Sequence, residues 1–138
     1  MGKLNDICDA FELALKDVSS PQLYGYSEQV EAPHGPSAEV LLMDRHRDTA
    51  AGDQRATIGV ELSVALDDNG WAYAWRKLRD FLDATGTASI EAAVSASADI
   101  ASEVEWVGPG TIAAPQRIKF PDGSRAVQRI DFEVAYDV

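Results

Sequence analysis

The chain has 138 residues, 46% of them hydrophobic, with three tryptophans, a size and composition that fit one packed domain and exclude a disordered polymer. Twelve Lys and Arg against 23 Asp and Glu leave a formal charge of −11, which disfavours tight binding to nucleic acid by counterion release and stable binding to anionic membranes. The single cysteine, Cys8, excludes an internal disulfide or a thiolate metal cluster and points to a protein assembled inside a cell.

Taken in chain order, "MGKLNDICDAFELALKDV" has charges throughout and no continuous apolar run, so it does not read as a signal peptide. No stretch is long and apolar enough to span a bilayer. Ile7, Phe11, Ala14, Leu15 and Val18 recur at helical spacing and predict a helix over residues 5–18, with Asn5 as N-cap and Pro21 soon after its end. Cys8 lies in that apolar stripe, where a small core side chain is a better reading than a reactive thiol. A Pro- and Gly-punctuated link follows, in which Leu23, Tyr24, Tyr26 and Val30 suggest a short extended piece.

Residues 38–43, "AEVLLM", predict a strand, and the polar "DRHRDTAAGDQRA" at about 44–56 predicts a mobile loop leading to the next one. Ile58, Val60, Leu62, Val64 and Leu66 alternate with Thr57, Gly59, Glu61, Ser63 and Ala65, the period of a strand with one buried and one wetter face in an antiparallel sheet. "DDNG" breaks it and offers Asp68 and Asn69 as helix caps. Trp71, Trp75, Leu78, Phe81 and Leu82 then predict a second helix running to Gly86 as its C′ residue, with Arg76, Lys77 and Arg79 on the solvated side. A short helix over 89–96 capped by Ser89, strands at 103–107 and 117–120, a "PDGS" turn and a long last strand complete the pattern. In that last strand Ile130, Phe132, Val134 and Tyr136 alternate with Asp131, Glu133, Ala135 and Asp137, so its outward face is expected to be acidic. The fold class is α+β: a mostly antiparallel sheet with two main helices and one short helix packed on one face, in a single domain over 1–138.

No constellation nominates catalytic, cofactor or metal chemistry. His34 and His46 lack a second His or Cys at ligand spacing, and Asp44, His46 and Asp48 lie in the expected loop beside Arg45 and Arg47. "DDNG" lacks the later ligands of a calcium loop, "GPGT" at 108–111 lacks the lysine of a phosphate loop and reads as a kink between strands, and no serine sits in a G-x-S-x-G elbow. Trp71 and Trp75 could offer an aromatic platform, but beside Leu78 and Leu82 they read as core.

The layout of the whole chain, from the first helix through "LYGYSEQVEAPHGPSAEVLL", "GVELSVALDD", "WAYAWRKLRDFLDATGTASIEAAV" and the closing "IKFPDGSRAVQRIDFEVAYDV", resembles the tail terminator, or tail-completion, proteins of long-tailed bacteriophages. That resemblance covers nearly the whole chain and is one of pattern rather than of a diagnostic motif. It implies a non-enzymatic virion protein of the tail–neck region, assembled in the host cytoplasm. It further implies a ring, usually hexameric, that caps the tail tube, stops its polymerisation and meets the head–tail connector or stopper protein. DNA would be met only in passage. Positive charge concentrates at Arg45, Arg47 and Arg55, the expected interface with a neighbouring subunit or the tube protein, although a merely solvated loop reads equally well. Asp131, Glu133 and Asp137 are the expected wet face of the last strand, lumenal or exterior. The alternatives are another neck protein, the head–tail stopper or adaptor, or a small ligand-binding or enzymatic α+β domain.

Overall fold

The computed structural model describes residues 2–16, 18, 24–26, 36–48, 53–66, 70–121 and 123–137, with the backbone alone at 24–26, 46–48, 53 and 120. The elements run α1 (Lys3–Leu15), β1 (Tyr24–Tyr26), β2 (Ser37–Asp48), β3 (Asp53–Ala65), α2 (Gly70–Leu82), α3 (Ile90–Ala96), α4 (Ala98–Glu103), β4 (Trp106–Val107), β5 (Thr111–Ile112), β6 (Gln116–Phe120) and β7 (Gly123–Tyr136). The fold is α+β. One seven-stranded sheet follows the order β1-β2-β3-β7, and β4, β5 and β6 take successive lengths of the far edge of β7. Only β1 runs parallel to its neighbour β2.

Alternation decides which face is buried. Ile58, Val60, Leu62 and Val64 of β3, with Ala126, Ile130, Phe132, Val134 and Tyr136 of β7, are sealed from solvent and lie in one cluster with the apolar stripes of all four helices. In α1 that stripe is Ile7, Ala10, Phe11, Ala14 and Leu15, the one-face spacing of an amphipathic helix. Phe11 tilts against Phe132 with ring centres 5.9 Å apart, tying helix to sheet; such a pair adds about 1 kcal/mol beyond its burial. In α2 the buried stripe is Ala74, Leu78, Phe81 and Leu82.

Several expectations are corrected in detail. Residues 44–48 and 53–56 are not a loop but the paired ends of the β2–β3 hairpin, from Asp44 opposite Thr57 to Asp48 opposite Asp53. Asn5 lies inside α1, whose N-cap is Gly2 without a side-chain cap. Gly86 has a φ of +107° but lies in the turn beyond α2 rather than at its C′ position, and its carbonyl accepts from Ser89 N–H. There are two short helices, not one: Ser89 caps α3 as expected, accepting from Ala92 N–H at 3.0 Å, and Ser97 caps α4, accepting from Ile100 N–H at 3.2 Å. Glu103 therefore ends a helix, and the strand expected at 103–107 shrinks to Trp106–Val107. "GPGT" is the kink between β4 and β5, held by Gly110 N–H donating to Glu91 Oε1 at 2.7 Å. The cap residues Asp68 and Asn69, His34, Leu23, Val30 and Pro21 lie outside the described residues.

Candidate interaction surfaces

The face of the sheet turned away from the helices is assembled from the odd-numbered residues of β3 and β7. Glu61 opposes Arg129, Gly59 opposes Asp131, Thr57 opposes Glu133 and Arg55 opposes Ala135. The arginines neutralise part of this surface: Arg129 Nε donates to Asp131 Oδ1 at 2.7 Å, and Arg55 Nη1 donates to Glu133 Oε1 at 3.1 Å. The outward face of the last strand is thus not the bare acidic wall its own sequence suggests, because its carboxylates meet cations from within the strand and from β3. Asp137 is exposed just past the end of β7. Arg129 comes this close because the residue beneath it is glycine. A Cβ on Gly59 would stand 2.9 Å from Arg129 Cδ, Asp131 Oδ1 and Met43 Cγ.

Arg45 and Arg55, two of the three arginines expected to form one interface, do not share a face. A register shift between Leu42 and Asp44 places one extra residue in β2, so Arg45 pairs with Ala56, on the helix side of the hairpin, and the backbone of Arg47 pairs with Gln54. Arg55 points the other way, to Glu133, with its guanidinium carbon 5.8 Å from the centre of the Trp106 ring. Arg45 is exposed. His46 opposes Arg55 across the hairpin.

A third surface escaped the sequence reading. Trp71 and Trp75 are half-buried at the rim of the core rather than inside it, and they stack at 6.1 Å with planes 22° apart. The guanidinium of Arg117, from the edge strand β6, lies 4.5 Å from the Trp71 ring centre, completing a cation–indole–indole stack. One turn round α2, Lys77 lies over the exposed Tyr73 at 5.3 Å. Helix α2 and strand β6 carry Arg76, Lys77, Arg79, Arg117 and Lys119, five of the chain's twelve cations. The residue types on α2 were visible in the sequence, but Arg117 is 46 positions from Trp71 (117 − 71), and only the sheet order brings them together.

No family model matches the chain, and no curated protein matches it. The geometry therefore has to carry the functional reading. Among the described residues no group of three or more His, Cys, Asp or Glu is placed to hold a metal ion. An open cleft of about 390 Å³ between α3, α4 and β4 is walled by Val94, Ile100, Val104, Trp106 and Val107, and Glu105 is its one ionisable lining residue. Cys8 is half-buried, and burial, with a lesser contribution from Asp9, raises its thiol above the ordinary range, which slows it as a nucleophile. No described helix is long and apolar enough to cross a membrane.

Proposed function

We propose that this protein is a structural subunit of a phage virion, the tail terminator that closes the tail tube and presents a face to the head–tail connector or stopper. The observation that carries the reading is the two-sidedness of the sheet. All four helices contribute to the core on one face, while the other bears a ladder of polar and ion-paired side chains with a glycine at its centre. A body of this kind, repeated about an axis, offers a helical layer to neighbours and a helix-free polar wall to a channel. Glu39, Glu61, Asp44, Asp131 and Glu133 lie on that wall against Arg55, Arg125 and Arg129, and the whole chain is at −11, a balance that favours repelling a passing duplex over holding it. The cleft beside α4 is lined by Ser95, Ser97 and Glu105 among apolar side chains, and Ser97 is engaged as the cap of α4. The virion neck is the location this reading implies.

The test is electron microscopy of the purified chain alone and mixed with a phage tail-tube protein. Closed rings seated on tube ends, with tube lengths held constant, support the reading. Tubes that keep growing with bare ends overturn it.

A further inference from the structure

The helix layer is electrically lopsided. Helix α1 packs on β1 and β2 at one side of the sheet and on α4, whereas α2 packs on β3 and β7 and reaches β6, at the other side, through the Trp71–Arg117 contact. The α1 side, with α4 and Glu105, carries Asp6, Asp9, Glu12, Asp99, Glu103 and Glu105 against Lys3 and Lys16, and Lys3 is already bound to Glu103 at 2.9 Å. The α2–β6 side carries five cations against Asp80 and Asp83. Helices α1 and α2 also each leave one large apolar group in solvent: Leu13 is 45% exposed beside Asp9 and Glu12, and Tyr73 is 39% exposed beside Arg76 and Lys77. A partly apolar centre ringed by charge of one sign is the anatomy of a docking patch, and here the two patches are complementary.

We infer that α2 of one copy docks on α1 of the next, Tyr73 against Leu13, with Arg76 and Lys77 facing Asp9 and Glu12. Because the two patches are different and lie toward opposite sides of one sheet face, the contact is head-to-tail and propagates from copy to copy, the arrangement that builds a ring where the rotation between copies closes. It rests on the ring reading above and names the surfaces that would build it. The exposed aromatic, backed by a stacked pair of tryptophans that hold the helix rim rigid, supplies the anchor. At about 0.15 M ionic strength the net repulsion between two acidic bodies is screened beyond about 8 Å, while charge pairs in contact persist.

The experiment uses the full chain in three forms: Arg76→Glu with Lys77→Glu, Asp9→Lys with Glu12→Lys, and all four changes together. Thermal melts first establish that each folds as the parent does. Sedimentation at about 0.15 M salt is expected to show association weakened about tenfold or more in either two-site form. It should return in the four-site form and in an equimolar mixture of the two-site forms. A Leu13→Cys, Tyr73→Cys double variant in a Cys8→Ala background is expected to form disulfides between copies under mild oxidant. An oligomer indifferent to both reversals overturns this contact and leaves the ring reading standing. A chain that neither associates at high concentration nor crosslinks overturns it too. Binding of a single-stranded oligonucleotide that vanishes with Arg76→Glu and Lys77→Glu also overturns it, assigning the α2 ridge to nucleic acid. Head-to-tail association that follows the charges, with tube ends left bare, upholds the contact and removes the terminator reading.

Discussion

Arg129 and Gly59 share one site on the helix-free face: the arginine crosses from β7 over the glycine of β3, and its Nε reaches Asp131 Oδ1 at 2.7 Å. The β3 residue opposite Asp131 is therefore fixed by what lies above it rather than by turn chemistry. Gly59→Ala puts a methyl group 2.9 Å from three side-chain atoms. Overpacking of this kind costs about 1–3 kcal/mol, and because Met43 and Arg129 are flexible, the loss falls at the low end. Chemical denaturation of Gly59→Ala, alone and with Met43→Ala, measures it; the second change is expected to return part of the loss.

Gly110 faces a harder wall. A Cβ there would meet Ile130 Cδ1 at 2.5 Å and Phe132 Cε1 at 3.2 Å, both from buried side chains. Gly110→Ala is expected to destabilise by about 1–3 kcal/mol. Adding Ile130→Val removes the Cδ1 methyl but leaves Cγ1 at 2.8 Å, so the double variant is expected to regain part of the loss and be more stable than the sum of its parts predicts, although Ile130→Val alone costs about 1 kcal/mol. A double-mutant cycle in urea gives the coupling directly.

The two serine caps can be ranked. Ser97 accepts from one backbone N–H at the start of α4, while Ser89 accepts at the start of α3 and also donates to the Asp83 carbonyl across the α2–α3 turn. Ser97→Ala is expected to cost about 1 kcal/mol, and Ser89→Ala more, because it releases that turn as well. Thermal melts of the two variants settle the order.

Cys8 titrates against folding at high pH. Burial raises the folded thiol above its unfolded value, so the folded state holds the proton longer. The sign follows: the contribution is complete below the unfolded thiol pKa and is lost as pH rises through the folded one. Stability of the wild type is therefore expected to fall more steeply above the ordinary thiol range than that of Cys8→Ala, which serves as the reference. Alkylation of the native thiol is expected to be slower than that of the unfolded chain at the same pH.

The Arg55–Glu133 pair is part-exposed at both ends, 31% and 43% for the two side chains. A coupling of at most about 1 kcal/mol is expected for it from a cycle of Arg55→Ala and Glu133→Ala, shrinking with added salt. Loss of Arg55 also uncovers one side of Trp106, so its fluorescence is expected to shift in Arg55→Ala and to stay unchanged in Glu133→Ala.

What could be read from the residues beforehand was what burial writes into a sequence. The alternation from Ile58 to Val64, the stripe from Ile7 to Leu15 and the Ser89 cap each record one side chain inside and the next outside, and the structure repeats them. The hairpin ends at 44–48 and 53–56 left no such mark. Asp44 and Arg45 are exposed, so that strand is held by backbone pairing, to which hydropathy is blind. Helix α4 is six residues long with Ile100 as its one buried residue, too short for any period to emerge. On the candidate surfaces the sequence located charges but not their partners. Arg55 meets a carboxylate 78 positions away, and the one-residue shift at Met43 turns Arg45 away from it.

The far border of β7 has a further consequence. It is occupied by three short lengths, β4, β5 and β6, broken by a Gly-Pro-Gly kink and by the segment 113–115 rather than by one continuous strand. A border cut into such pieces cannot template the long run of backbone hydrogen bonds on which fibril growth depends. Along this border, contacts between copies are therefore left to side chains, which can be specific and finite in number.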